Sequence, residues 1–174
     1  MTTLAVATLE SPVGPLTVAV APDGVLRAAV FGTPEDLGRR LPARDVGTQM
    51  LRVPPEDLPG GVVPALARYA GGDLDALDGL TVRQPGGPFQ QAAWTAMRAI
   101  PAGTTVTYAE LALRIARPTA ARAAAGACAC NLVVLFVPCH RVIRSDGSLG
   151  GYAYGPEVKS GLLEHERAGA QVLG

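Results

Sequence analysis

The chain has 174 residues, of which 48% are hydrophobic and 17% charged, with equal numbers of basic and acidic groups. That balance belongs to a folded globular protein with one ordinary core or two small ones, and it excludes a disordered or collagen-like chain. The start, MTTLAVATLE, has no basic stretch before an apolar one, and nowhere do about 18 apolar residues run together, so the expectation is a cytoplasmic protein with no membrane partner. Three cysteines cannot all pair within one chain, which suits free thiols in a reducing compartment.

In chain order, residues 3–31 alternate in short apolar runs (LAVATLE, PLTVAVA, VLRAAVF) separated by SPVGP and PDG, a pattern that predicts a small antiparallel sheet. Residues 32–80 are rich in Pro, Gly and Asp, with a helical stretch near Val62–Ala70. TVRQPGGP reads as a linker, giving an expected N-terminal sheet domain over 1–80, a linker over 81–87 and a second domain over 88–174. FQQAAWTAMRAI places Phe89, Ala93, Ala96, Met97 and Ile100 on one helical face, with Pro88 in its first turn. Thr107 and Glu110 have the spacing of a capping box, predicting a helix that starts at Tyr108 and ends before Pro118. Thr119 is then expected to cap a further helix to about Ala129, and two short helices joined by a three-residue turn make a helix-turn-helix. The fold class is therefore α+β: a small antiparallel-sheet domain followed by a mostly helical, winged-helix-like one.

Charge is distributed unevenly. Residues 81–144 carry seven Arg against Glu110 alone, whereas residues 1–80 carry six Arg against ten acids. The second helix of the pair is built from Ala, Gly and Cys around one long side chain, Arg122. It lacks the Asn, Gln or further Arg that a major-groove reader needs. Small residues suit a tightly packed buried helix, but they equally suit a helix pressed into a minor groove with one cation able to enter the base stack. A buried helix would have to pair Arg122.

The stretch VPCHRVIRSD puts Cys139 beside His140. A nucleophilic cysteine must reach the thiolate, for which an adjacent imidazole or arginine is a source of help. Neighbours in extended chain point to opposite faces, so the two side chains meet only across a bend, which Pro138 favours, or through water. A carboxylate commonly orients such an imidazole, and PEVKSGLLEHERAG offers Glu157, Glu164 and Glu166 without choosing among them. Cys128, Cys130, Cys139 and His140 lie close together, yet C-x-C on a helix spaces its thiols poorly for one tetrahedral ion, so no metal or other cofactor is expected.

VPCHRVI, with Asn131 eight residues before the cysteine, ARAAAGA and FQQAAWTAMRAIPAGTTVTYAELA upstream and GGYAYGPEVKSGLLEHE downstream, resembles the O6-alkylguanine-DNA alkyltransferases from about Phe89 to Ala168. The resemblance implies irreversible, single-turnover transfer of an alkyl group from O6-alkylguanine in double-stranded DNA to Cys139, with O4-alkylthymine a further substrate of that class. It implies that His140 acts on Cys139 through water, that Glu166 orients His140, and that Asn131 holds the turn before the site. Tyr108 would turn the phosphate and donate to the flipped guanine, with Thr107 beside it. Arg122 would fill the gap in the duplex, and Ala121, Ala123, Ala125 and Gly126 would form the smooth minor-groove face, with little sequence preference. Val142 would meet the base, and Val134, Tyr152, Ala153 and Tyr154 would line its pocket, closed by the loop to Gly155. A monomer is implied. The alternative is a relative that binds the lesion without transferring, against which Cys139 itself argues. The sequence departs from the family at Leu132, where proline is usual, at Ala129, often basic, and at Ala125-Gly126, commonly Gly-Gly.

Overall fold

The alternating runs at the start of the chain form hairpins because each is bounded by residues that turn easily. In the computed structural model, which describes residues 2–42 and 47–172, β1 (Thr3–Ser11) pairs antiparallel with β2 (Gly14–Val20), Ser11 lying opposite Gly14. Gly14 has φ of 114°, a backbone conformation that closes this turn and that a side chain would strain. β3 (Leu26–Phe31) returns antiparallel to β2 with a register shift between Ala19 and Val20. The sheet over residues 3–31 is therefore as expected. A capped helix α1 (Pro34–Arg40) follows, its Thr33 and Asp36 bonding reciprocally, and then β4 (Gln49–Arg52) runs parallel to β1, giving the order β3-β2-β1-β4. The fourth strand was not expected. All four of its residues are exposed, so it carries no alternation to betray it. α2 (Val62–Ala70) buries Val62, Ala65, Leu66 and Tyr69, in register with the helical stretch read from the sequence.

These elements form the first of two compact units, comprising residues 1–84 together with 132–136. The edge of β3 explains both unexpected members. Leu26 donates its N–H to Thr81 O and accepts from Arg83 N, while Ala29 donates to Leu132 O and accepts from Val134 N. Unpaired strand edges invite adventitious pairing, and two short extended segments cover this one. Thr81–Arg83, read as the start of a linker, thus belongs to the sheet unit, and Leu132–Phe136 interrupts what was read as an uninterrupted second domain. Leu132 has an N–H that proline would lack, and Gln84 Oε1 accepts it at 2.7 Å.

The second unit comprises residues 85–131 and 137–174. In α3 (Pro88–Arg98), Ala93, Trp94 and Met97 are buried, and Ile100 just beyond it is also buried; Phe89 and Ala96 are only partly covered. Trp94 donates from Nε1 to Ala127 O at 2.9 Å, which ties α3 to the helix after next. β5 (Val106–Thr107) pairs in parallel with β6 (Val142–Ile143). α4 (Tyr108–Arg114) starts at the expected capping box, with Glu110 accepting from Thr107 N at 2.7 Å and Thr107 accepting from Glu110 N at 3.1 Å. It ends where Ala116 turns left-handed, at φ of 58°, and Arg117 N bonds back to Ala112 O.

α5 (Ala121–Ala129) packs against α3 and α4, completing the helix-turn-helix. Two details differ from expectation. The connection covers residues 115–120 rather than three residues, because the left-handed Ala116 and the turn from Ala120 N to Arg117 O each consume chain. Ala120, not Thr119, occupies the cap position, and no side chain caps the helix. α6 (Pro156–Val172) closes the unit. The class is α+β, and no helix among the described residues is long and apolar enough to cross a membrane.

Candidate active site

The bend that the Cys-His pair requires is built at Pro138. Its φ of −81° and ψ of 64° let Cys139 N bond to Val137 O at 2.8 Å, an inverse γ-turn, and Arg141 N then bonds to Pro138 O at 3.0 Å. Cys139–Arg141 forms one 3-10 turn. Consecutive side chains in such a turn diverge by about a third of a revolution, so Cys139 and His140 are sent to different partners.

Cys139, 4% exposed, faces Asn131, whose Nδ2 donates both to Val137 O at 2.8 Å and to Cys139 Sγ at 3.2 Å. His140 and Arg141 face α6. Glu166, fully buried, accepts from His140 Nε2 at 2.8 Å and from Arg141 Nε and Nη2 at 3.0 and 2.8 Å. Arg141 Nη1 donates to Ile100 O at 2.7 Å. The structure thus selects one carboxylate of three. Glu157 and Glu164 are exposed.

Burial pushes the Glu166 carboxyl up, but the His140 bond and the Arg141 guanidinium outweigh it and hold the group well below the usual carboxylate range. Burial pushes the His140 imidazole down, against the pull of Glu166, so the ring is neutral at physiological pH. An ionised carboxylate only accepts, which places the imidazole proton on Nε2. Nδ1 is therefore a lone-pair base, and it is buried with no hydrogen-bond partner among the described residues.

Tyr108, the first residue of α4, is half-buried; burial first, then the Cys128 and Cys139 thiols, raise its phenol, which stays a proton donor. The Gly150 backbone passes so close that a Cβ there would lie 3.0 Å from Tyr108 Oη. Beyond it, Tyr152 and Tyr154 meet edge to face with centroids 5.6 Å apart, Ala153 is exposed between them, and Gly155 N bonds to Tyr152 O. Val142 is buried, and its carbonyl accepts from Lys159 Nζ at 2.7 Å.

On α5, Ala124 and Ala127 face inward, while Arg122, Ala123, Gly126 and Ala129 are exposed and Ala121 and Ala125 are partly so. A Cβ on Gly126 would meet nothing, and Arg122 makes no hydrogen bond or ion pair with the described residues. The outer face of this helix is therefore bare except for one cation, as the tightly buried alternative would not allow. Thr107 serves the α4 cap. Val134 belongs to the first unit, where its N–H bonds to Ala29 O. Cys128 is half-buried, and burial pushes its thiol up; Cys130 is exposed. Among the described residues, no three His, Cys, Asp or Glu side chains are grouped to hold a metal ion.

Two further basic residues are buried within this cluster. The sequence offers Arg141 as a charge that helps the thiolate, whereas the structure pairs it with Glu166, and it offers no role for Lys159. The signal for the second was present: Lys159 is the only lysine in a chain that otherwise uses arginine.

The second unit thus holds a buried thiol, a carboxylate-oriented imidazole and an exposed helix bearing a single cation, a set of groups suited to a cysteine nucleophile with a candidate nucleic-acid face. Residues 88–168 match the 6-O-methylguanine DNA methyltransferase, DNA binding domain. The chain is 46% identical over 108 residues to a methylated-DNA--protein-cysteine methyltransferase of Salmonella typhimurium, covering 62% of this chain and 63% of that one. It is 41% identical to a probable protein of the same name from Acanthamoeba polyphaga mimivirus, covering 61% and 70% respectively. Over 96% of its length it superposes on OGT of Mycobacterium tuberculosis in complex with DNA, covering 94% of that chain, with 32% identity and a TM-score of 0.74. The chain belongs to the methylated-DNA--protein-cysteine methyltransferase family.

Proposed function

We propose that this chain repairs alkylated DNA by moving the alkyl group from O6 of guanine to Cys139, once per molecule and without a cofactor. The observation that carries the reading is the His140 ring: its Nε2 proton is committed to Glu166, and its Nδ1 lone pair, one residue along from Cys139 in the same turn, is buried without a partner among the described residues. Through one bridging water, Nδ1 takes the thiol proton. The thiolate attacks the alkyl carbon, the S–C bond forms as the C–O bond breaks, and the electron pair passes to the guanine ring. Tyr108, kept protonated, donates to the ring as it leaves, which makes guanine a better leaving group. The product is a thioether with no route back to thiolate.

A base within a stack cannot be reached, so the nucleotide must first be flipped, at a cost of a few kcal/mol that an alkylated, weakly paired guanine reduces. The bare face of Ala121, Ala123, Ala125 and Gly126 suits a minor groove read by shape, and Arg122 suits the gap left in the duplex. Asn131 fixes the turn, Val142 presents its backbone to the base, and Tyr152, Ala153 and Tyr154 close over it. O4-alkylthymine has the same alkyl-oxygen chemistry and falls within the reading. A monomer acting on double-stranded DNA in the cytoplasm completes it.

The test is incubation with an O6-methylguanine duplex followed by mass analysis. A gain of one methyl on the peptide bearing Cys139, lost in Cys139→Ser, is the expected result. Tight binding without a mass change would overturn transfer and favour a lesion-binding relative instead.

A further inference from the structure

Arginine fills every basic position of this chain but one. That one, Lys159, lies in α6 two turns before Glu166 and is 1% exposed. Its Nζ donates to Val142 O at 2.7 Å, directly after the Cys139–Arg141 turn, and to Leu149 O at 2.5 Å, at the root of the tyrosine loop. It stands 6.0 Å from the ring centroid of Tyr108 and 5.9 Å from that of Tyr152. Among the described residues, no carboxylate pairs with it.

A buried ammonium without a counter-ion is costly. Two carbonyl dipoles and two aromatic faces, which attract cations through their quadrupoles, offset part of that cost. The other charges of the site cancel: Glu166 is matched by Arg141, and His140 is neutral. Lys159 is therefore the uncompensated positive charge of the buried site. Its compact head, with three donors on a flexible stem, reaches two carbonyls in a space that the planar fork of arginine suits less well. Burial lowers the Lys159 ammonium's pKa, whereas the Cys139 and Cys128 sulfurs raise it, and such couplings are reciprocal.

We propose that Lys159 is a positioning residue for the acceptor: held by Val142 and Leu149 between Tyr108 and Tyr152, its ammonium favours the thiolate of Cys139 and pins the loop that closes over the base. The inference rests on the reading of Cys139 as the acceptor. Lys159 moves no proton; the thiol proton goes to His140, and the lysine charge stabilises what is left behind. The groups facing it are Tyr108 from α4, Cys128 from α5, Cys139 and His140 from the 3-10 turn, Arg144 after β6 and Tyr152 from the loop. Burial keeps the Cys128 thiol protonated, so the field acts on Cys139, whose anion the transfer requires.

The pH dependence of Cys139 alkylation by iodoacetamide, read on the peptide bearing Cys139, tests this in the native protein, K159R, K159M and K159Q. Removing the charge should move the midpoint upward by about one pH unit, slowing the neutral-pH reaction about tenfold, while K159R stays near the native midpoint. Methyl transfer from an O6-methylguanine duplex should fall in parallel. Slower transfer with a native midpoint would make Lys159 a loop brace only and overturn the proposal. A second measurement keeps the lysine in place: its sole side-chain resonance is titrated by NMR in the native protein and in Cys139→Ser. The lysine midpoint should fall in the variant, and an unchanged midpoint would also overturn the proposal. If the native protein transfers no methyl group, the acceptor reading fails separately, because iodoacetamide reports on the Cys139 thiol directly.

Discussion

Glu166 accepts three donors on two buried oxygens, and Arg141 supplies two of them. Arg141→Leu would strand the carboxylate with an imidazole that has no charge to offer. Loss of one partner of a buried ion pair costs about 3–5 kcal/mol, and urea unfolding should show a loss of that size; a loss near that of an exposed substitution would mean Glu166 is hydrated instead. The same cluster sets an acid limit. His140 has its folded pKa lowered, so the unfolded chain binds its proton first and stability declines as pH falls below about 6.5. Glu166 is depressed too, so its contribution is complete above about pH 4.3 and is lost as pH falls further. Urea midpoints measured across this range should fall in two stages, and His140→Gln should remove the upper one. Cys139, His140 and Asn131 were legible in the sequence because the motif around them is specific. Arg141 and Lys159 were not, since their roles come from burial against α6, which residue type alone does not disclose.

α5 is an element set apart by what it lacks. Its inner face is committed to α3 and α4, and Arg122 projects from the outer one without a partner among the described residues. Arg122→Ala should therefore change stability by no more than about 0.5 kcal/mol. It should slow repair of duplex DNA at least about tenfold through lost occupation of the flipped-out gap, while leaving iodoacetamide reactivity of Cys139 unchanged. A parallel loss in both assays would assign Arg122 to the fold. Helix starts were readable where the chemistry is local, as at Thr107 and Glu110. The length of the α4–α5 connection was not, because a left-handed Ala116 leaves no mark in composition, where a glycine would have.

Across the whole molecule, basic charge concentrates in residues 81–144, which include α5 and its approach, while net charge is zero. Phosphate binding releases counter-ions in proportion to the contacts made. Ala129 is exposed on α5. Ala129→Arg should strengthen duplex affinity and steepen the slope of log affinity against log salt by about one. An unchanged slope would place residue 129 away from the phosphates. The sheet over 3–31 and the helical second half were legible from periodicity, but β4 and the β3 edge segments were not, because pairing partners far apart in sequence leave no periodic trace.

The return of Leu132–Phe136 to the edge of β3 has a consequence for inheritance. The chain that leaves α5 pairs with the edge of β3 before it reaches Cys139, so the first unit is sewn from two separate stretches of sequence, with a stitch between residues 132 and 136. A gene fragment beginning at Pro85 would encode every residue of the acceptor cluster and still separate that stitch from its cloth. Exchange of the N-terminal unit between relatives should succeed only where the β3 edge and the 132–136 segment travel together.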